Sequence, residues 1–225
     1  ENFAPVAGRY LVTGATGAIG SATAHYLASV DGIKVIALAR NREKLEALRD
    51  EIHTHTDRWI DIVAGDWNSA RAIELLKCEE DSLDGAVHCA GSYGEIGLLS
   101  DLDLMAWSAD VAGQIMGAMN IVRIATAHSR SRHFAGVLLS GGGASQAYKA
   151  LSGYSVAKTA LVRIVESAGL EIPLSQASLN TLGPGPHMSS MVDEALAHAD
   201  VLDERIVDAS AKLKNLTAGG ASQNY

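Results

Sequence analysis

Thr13-Gly-Ala-Thr-Gly-Ala-Ile-Gly20 stands between an apolar run, Arg9–Thr13, and an alanine-rich stretch of helical spacing, Gly17 to Val30. A glycine motif is informative when it joins a strand to a helix. Gly14 permits a tight turn, Gly17 lets a pyrophosphate approach the backbone, and Gly20 lets the helix pack close to the sheet. The helix N-terminus then offers free N–H groups and a partial positive charge to phosphate. A plain tight turn is the competing reading, and the strand-to-helix position favours the phosphate site.

The same alternation continues outward. Lys34–Ala39, Trp59–Ala64, Leu83–Cys89, Gly136–Ser140 and Ser178–Leu182 read as further strands. Arg42 to Ile52 is amphipathic, with Leu45, Leu48 and Ile52 on one face. Ser69 to Leu76, Leu102 to Ala127 and Ser155 to Ile172 read as helices, and Met191 to Leu216 as a helix in two pieces. The tail Gly219–Tyr225 is polar and reads as loose. Strands that are apolar rather than alternating predict a parallel sheet covered on both faces. Right-handed crossovers make this an α/β, Rossmann-like, doubly wound fold. With no linker and no repeat beyond the βα unit, residues 1–225 read as one domain.

Composition narrows the function. The 225 residues carry a net charge of −8, against a nucleic-acid-binding surface, which needs a basic patch. No apolar run is long enough to span a membrane. Cys78 and Cys89 give no disulfide framework and fit a reducing compartment. Glu1 to Gly8 has no basic region followed by an apolar one, so a cytoplasmic location is expected. His53 and His55 form an HxH pair on a polar segment and read as solvated, and no metal site is expected.

Two further features bear on chemistry. The second strand ends Ala39-Arg40, where an NAD-selective fold places a carboxylate. Arg40 suits a 2′-phosphate instead, so NADP is expected over NAD. A solvated Arg40 opening the helix is the alternative. Then Tyr154 and Lys158 lie four apart, on one helix face. A lysine cation beside a phenol lowers its pKa from about 10 towards working pH. Such a tyrosine exchanges a proton with a carbonyl or alcohol oxygen as hydride moves. A surface Tyr/Lys pair is the bland reading, and the position after a strand end argues against it.

Together these residues resemble the short-chain dehydrogenase/reductase family, in its single-domain branch. The carriers are the turn TGATGAIG, Asp66-Trp67 after strand three, Ala90-Gly91 after strand four, the Tyr154/Lys158 pair, and Pro184-Gly185 after strand six. The resemblance implies that Gly14, Thr16, Gly17, Ala18, Ile19 and Gly20 hold the cofactor diphosphate. It implies that Asp66 contacts the adenine and that Trp67 belongs to the same cofactor-binding segment. It places Ala90-Gly91 beside the nicotinamide ribose, Lys158 on that ribose, and Pro184-Gly185 near the nicotinamide. Tyr154 becomes the acid/base of an NADP(H)-dependent oxidoreductase acting on a ketone or secondary alcohol.

The departures bear on activity. Ala18 stands where the family's TGxxxGxG turn has glycine, and His88-Cys89 replace two asparagines. Gln114 falls at the proton-relay asparagine. The family's serine, thirteen residues before the tyrosine, falls on Gly141; either Ser140 or Ser145 reaches the site because the glycines let the loop bend, or a backbone N–H substitutes. The family's last helix and strand would begin where this chain stops, which would leave strand six as an edge. His187 to Met191 reads as a substrate flap, with Met188 and Met191 lining it or packing, and with His187, Tyr148 and Tyr93 as polar contacts. The long helices imply a homodimer or homotetramer. Alternatives to the reductase are a catalytically weak or inactive dinucleotide-binding sensor or assembly subunit, and an epimerase or dehydratase using bound cofactor.

Overall fold

The computed structural model describes residues 7–69, 83–127 and 133–218. Six parallel strands form one sheet: β1 (Gly8–Thr13), β2 (Ile33–Ala39), β3 (Asp61–Ala64), β4 (Gly85–His88), β5 (Phe134–Leu139) and β6 (Ala177–Leu182). Their order is β3-β2-β1-β4-β5-β6. The order reverses between β1 and β4, where doubly wound folds bind ligands beyond the strand ends. The β1–β4 register sets Thr13 beside His88 at that point.

Side-chain alternation sorts the strands into two cores. Val12, Val35, Ala37 and Ala39 pack with Ala24 and Leu27 of α1 (Ala18–Ser29) and with Leu45, Leu48 and Ile52 of α2 (Arg42–Thr56). Leu11, Ile36, Leu38, Phe134 and Leu138 pack with Ala118 and Ile121 of α3 (Leu104–Ala127) and with Leu161 and Ala168 of α4 (Ser152–Glu171). The sheet is therefore covered on both faces, and β2 is buried along all but one residue.

Caps decide where the helices begin and end. Asn41 Oδ1 accepts the Lys44 N–H at 2.9 Å, a cap worth about 1 kcal/mol. α2 runs one turn past the predicted end because Asp57, at φ 56, closes its N–H on the His53 carbonyl at 2.8 Å. α3 starts at Leu104 rather than Leu102 because Asp103 Oδ1 accepts the N–H groups of Met105 (2.8 Å) and Ala106 (3.2 Å). α4 starts three residues before its predicted start, which puts Tyr154 inside its first turn. The last predicted helix divides as expected into α5 (Ser190–Ala197) and α6 (Glu204–Ala218). The predicted helix beyond Ser69, Cys78 and the tail Gly219–Tyr225 lie outside the described residues.

By compactness the chain divides into two units. The first, Glu1–Gly91 with Gly113–Leu139 and Leu161–Leu182, contains the sheet and both cores. The second, Ser92–Ala112 with Ser140–Ala160 and Gly183–Tyr225, has its own core of Tyr93, Ala150, Leu151, Tyr154, Ala195 and Leu202. No helix among the described residues is long and apolar enough to cross a membrane.

Candidate functional site

In the first unit the three glycines of the β1–α1 turn have separate reasons. Gly14 sits at φ +65, and a Cβ there would lie 2.6 Å from the Ala90 nitrogen. A Cβ on Gly20 would meet the Gly14 carbonyl oxygen at 2.2 Å, so this glycine packs α1 onto its own turn rather than onto the sheet. Among the described residues a Cβ on Gly17 would meet only that same oxygen, at 3.3 Å. Gly17 is exposed and caps α1 with no side-chain hydrogen bond, and no acidic residue occupies the first turn. The result is an open helix N-terminus with room for a close neighbour, a cradle that fits a diphosphate. Ala18 is exposed, and Thr16 and Ile19 are half-buried beside it.

Around this turn the other sequence-predicted residues take different roles. Arg40 is exposed and makes no hydrogen bond or ion pair to a described residue. Its neighbour Arg42 is committed to Glu46 at 3.6 Å. Asp66 is exposed, with Oδ1 accepting the Asn68 N–H at 2.9 Å. Trp67 is buried: its Nε1 donates to the Gly117 carbonyl at 3.1 Å, and its own carbonyl accepts from Asn120 Nδ2 at 2.8 Å. The indole thus pins the Asp66 loop to α3. His88 is buried, and its Nδ1 shares a 2.7 Å hydrogen bond with Thr13 Oγ1 across β1 and β4. Ala90 is half-buried and Gly91 exposed. Gln114 is 5% exposed, and neither its Oε1 nor its Nε2 has a partner among the described residues. His53 departs from the solvated reading: its ring stacks on Trp59 with centroids 3.8 Å apart.

In the second unit the Gly141-Gly-Gly143 run is a floor for tyrosine rings. A Cβ on Gly141 would lie 2.4 Å from the Tyr154 hydroxyl, and one on Gly143 would lie 2.7 Å from its ring. A Cβ on Gly142 would lie 2.3 Å from the Tyr148 hydroxyl. The phenol of Tyr154 thus fills the space a side chain at Gly141 would take. Ser140 Oγ donates to the Lys158 carbonyl at 3.1 Å, and Ser145 Oγ donates to the Gly142 carbonyl at 3.0 Å. Each hydroxyl has a single proton, and backbone oxygen takes it in both cases.

Tyr154 is 9% exposed and Lys158 6%. The Lys158 ammonium lies over the phenol ring, 5.8 Å from its centroid. Tyr93 meets the same ring edge-on at 5.3 Å. The expected lowering of the Tyr154 pKa is reversed here: burial pushes the phenol up, and Tyr148 pushes it further. Desolvation of the phenolate is the larger cause. Burial, then Tyr154, Glu194 and Tyr148, push the Tyr93 phenol up to about 12. Pro184 and Gly185 are exposed, with Gly185 at φ +76, and His187 Nδ1 is 3.0 Å from the Gly185 carbonyl oxygen. Of the flap methionines, Met191 packs against the second unit's core and Met188 is half-buried.

Sequence reasoning missed a clamp in this unit. Asp203 precedes α6, and its carboxylate accepts from Arg205 Nε (2.8 Å), Arg205 Nη2 (2.9 Å) and the Lys149 N–H (3.0 Å). These hydrogen bonds, Arg205's first, hold its carboxyl well below the usual carboxylate range. Arg205 also donates to Gln146 Oε1 and to the Ala147 carbonyl, both at 2.8 Å, and lies 5.0 Å over the Tyr148 ring. The Leu202-Asp-Glu-Arg205 string carries a capping signal for Asp203, but nothing local points from Arg205 to a loop 58 or 59 residues away.

Comparison with known proteins agrees with this architecture. A search of curated proteins gives no match. Among solved structures, a short-chain type dehydrogenase/reductase from Mycobacterium ulcerans superimposes with a TM-score of 0.75 at 27% identity, covering 86% of this chain and 72% of that one. A protein of Escherichia coli CFT073 assigned to the short chain dehydrogenases and complexed with NADPH gives 0.73 at 23% identity, over 85% and 82% of the chains. The enzyme KRED1-Pglu gives 0.77 at 22% identity, over 95% and 88%. The family model for short chain dehydrogenases matches residues 9–200, and with the strand order and the glycine turn this establishes that the chain belongs to the short-chain dehydrogenase/reductase family.

Proposed function

We propose that this chain is an NADP(H)-dependent oxidoreductase that reduces a ketone or oxidises a secondary alcohol, with Tyr154 as the acid/base. The observation that carries the reading is the Tyr154/Lys158 pair: both side chains are buried, with the cation over the phenol and a glycine floor beneath it. The cofactor supplies the hydride when bound. Gly14, Thr16, Gly17, Ala18, Ile19 and Gly20 would hold its diphosphate, Arg40 its 2′-phosphate, and Asp66, Ala90, Gly91, Pro184 and Gly185 its remaining parts. A neighbour's NADPH complex supports NADP as the cofactor class. A phenol with a raised pKa stays protonated at neutral pH, ready to give a proton to the nascent alkoxide. Lys158 orients the phenol and the ribose. Gln114, buried with an amide that has no partner among the described residues, stands as the relay residue. Ser140 holds the Lys158 carbonyl through its hydroxyl, so it positions the pair.

Exposed Leu104 and Met105 on α3, with Val156 and Leu170 on α4, support pairing of copies into a homodimer or homotetramer. A dinucleotide-binding protein with little turnover is the second reading, favoured by Ser140 and Ser145, whose protons both go to backbone. The test is NADPH oxidation with a ketone, ethyl acetoacetate, as hydride acceptor, by wild type and Tyr154→Phe, each saturated with NADPH. The reading expects a loss of about a hundredfold or more in kcat, and an unchanged rate would remove Tyr154 from the mechanism.

A further inference from the structure

We propose that Tyr148 supplies the hydrogen bond to the substrate carbonyl oxygen that the family's serine would supply at Gly141. The inference rests on the reductase reading above and names one more catalytic residue for it. Hydride arrival at a carbonyl carbon leaves negative charge on the oxygen. A donor aimed at that oxygen is a large part of the rate. Gly141 has no side chain, and Ser140 and Ser145 have given their protons to carbonyls. Tyr148 brings a further hydroxyl against this loop, at Gly142.

The hydrogen-bond roles around Tyr148 single it out. Arg205 has only donors, so the Gln146 atom 2.8 Å from its Nη1 is the amide oxygen. The amide nitrogen then faces Tyr148, and Gln146 Nε2 donates to the phenol oxygen at 2.7 Å. Tyr148 is therefore the acceptor in this bond, and its own proton remains to be given. The ring cannot swing away freely, because Arg205 lies over it and is itself held by Asp203 and the Ala147 carbonyl. Gly142 lets the hydroxyl come closer to the loop backbone than any side chain would allow. Tyr148 also acts electrostatically on the Tyr154 phenol, so the two groups share one field. In the reaction Tyr154 transfers its proton to the alkoxide, while Tyr148 donates a hydrogen bond and keeps its proton.

Tyr148→Phe removes only the hydroxyl. With NADPH and two probes, ethyl acetoacetate and diacetyl, its kcat should fall about a hundredfold. NADPH affinity should be unchanged, and the alkaline limb of the pH–rate profile should move to lower pH, because Tyr148 no longer raises Tyr154. Gly142→Ala is the second variant: its methyl would displace the Tyr148 hydroxyl, and kcat should fall by a similar factor with the fold intact. A Tyr148→Phe protein with wild-type kcat and an unmoved limb overturns the inference and leaves the reductase reading standing. A wild type that oxidises no NADPH with either probe overturns the reductase reading, and the inference with it.

Discussion

Replacing Gln114 by methionine should make this chain more stable and less active. The Gln114 side chain is 5% exposed, and both polar atoms of its amide lack a partner among the described residues. An amide buried without a hydrogen bond costs about 1–3 kcal/mol. Methionine has a similar length and helix propensity and buries no strong polar group. The substitution should therefore stabilise by about 2 kcal/mol. For a chain of 225 residues, each kcal/mol moves Tm by about 2–4 °C. The expected rise is about 4–8 °C in thermal unfolding, with a higher urea midpoint at unchanged slope. The same variant should lose about tenfold or more in kcat if the amide is the relay proposed above. A Tm equal to or below that of the wild type would refute the argument, since it would mean that the amide is satisfied in the native chain.

Three further outcomes follow from the geometry. Gly14→Ala forces a methyl into a positive-φ position 2.6 Å from the Ala90 nitrogen, and should cost about 2 kcal/mol or more, read as a lower urea midpoint. Arg40→Ala should weaken NADPH about tenfold and leave NADH unchanged in a fluorescence titration, the loss expected for one charge-assisted phosphate contact. Tyr93 holds its proton more tightly folded than unfolded. Its stabilising effect is fully present below the ordinary phenol pKa of 10.0 and is lost as pH rises through about 12. Tyr93→Phe should flatten the fall in Tm over that alkaline window.

The fold was legible because its signals are local or periodic. Apolar strands, a glycine turn between strand and helix, and the Leu45/Leu48/Ile52 face all survive into the structure. The helix ends were legible only where the capping side chain was given weight: Asp103 moves the start of α3, and Asp57 extends α2 by entering the left-handed region. The site was legible as a set of residue types and less so as chemistry. TGATGAIG and Tyr154/Lys158 can be read along the chain. The direction of the Tyr154 pKa cannot, because it depends on how deeply the ring is buried and where the ammonium faces. The Gly141-Gly-Gly143 run suggested a pliable loop, whereas its glycines are required by two tyrosine rings that lie against it. Trp67 reads as a cofactor neighbour in sequence, and only packing against α3 reveals its structural part.

The central claim is hydride transfer between a nicotinamide and a carbonyl carbon with Tyr154 as the acid. The most direct measurement gives the wild type and Tyr154→Phe NADPH deuterated at the transferable ring position, together with a ketone, and analyses the alcohol by mass. The account predicts one deuterium per alcohol formed by the wild type, in step with NADPH oxidised, and almost none from Tyr154→Phe. Substrate conversion without deuterium in the product or net loss of NADPH, or equal transfer by both proteins, would contradict it.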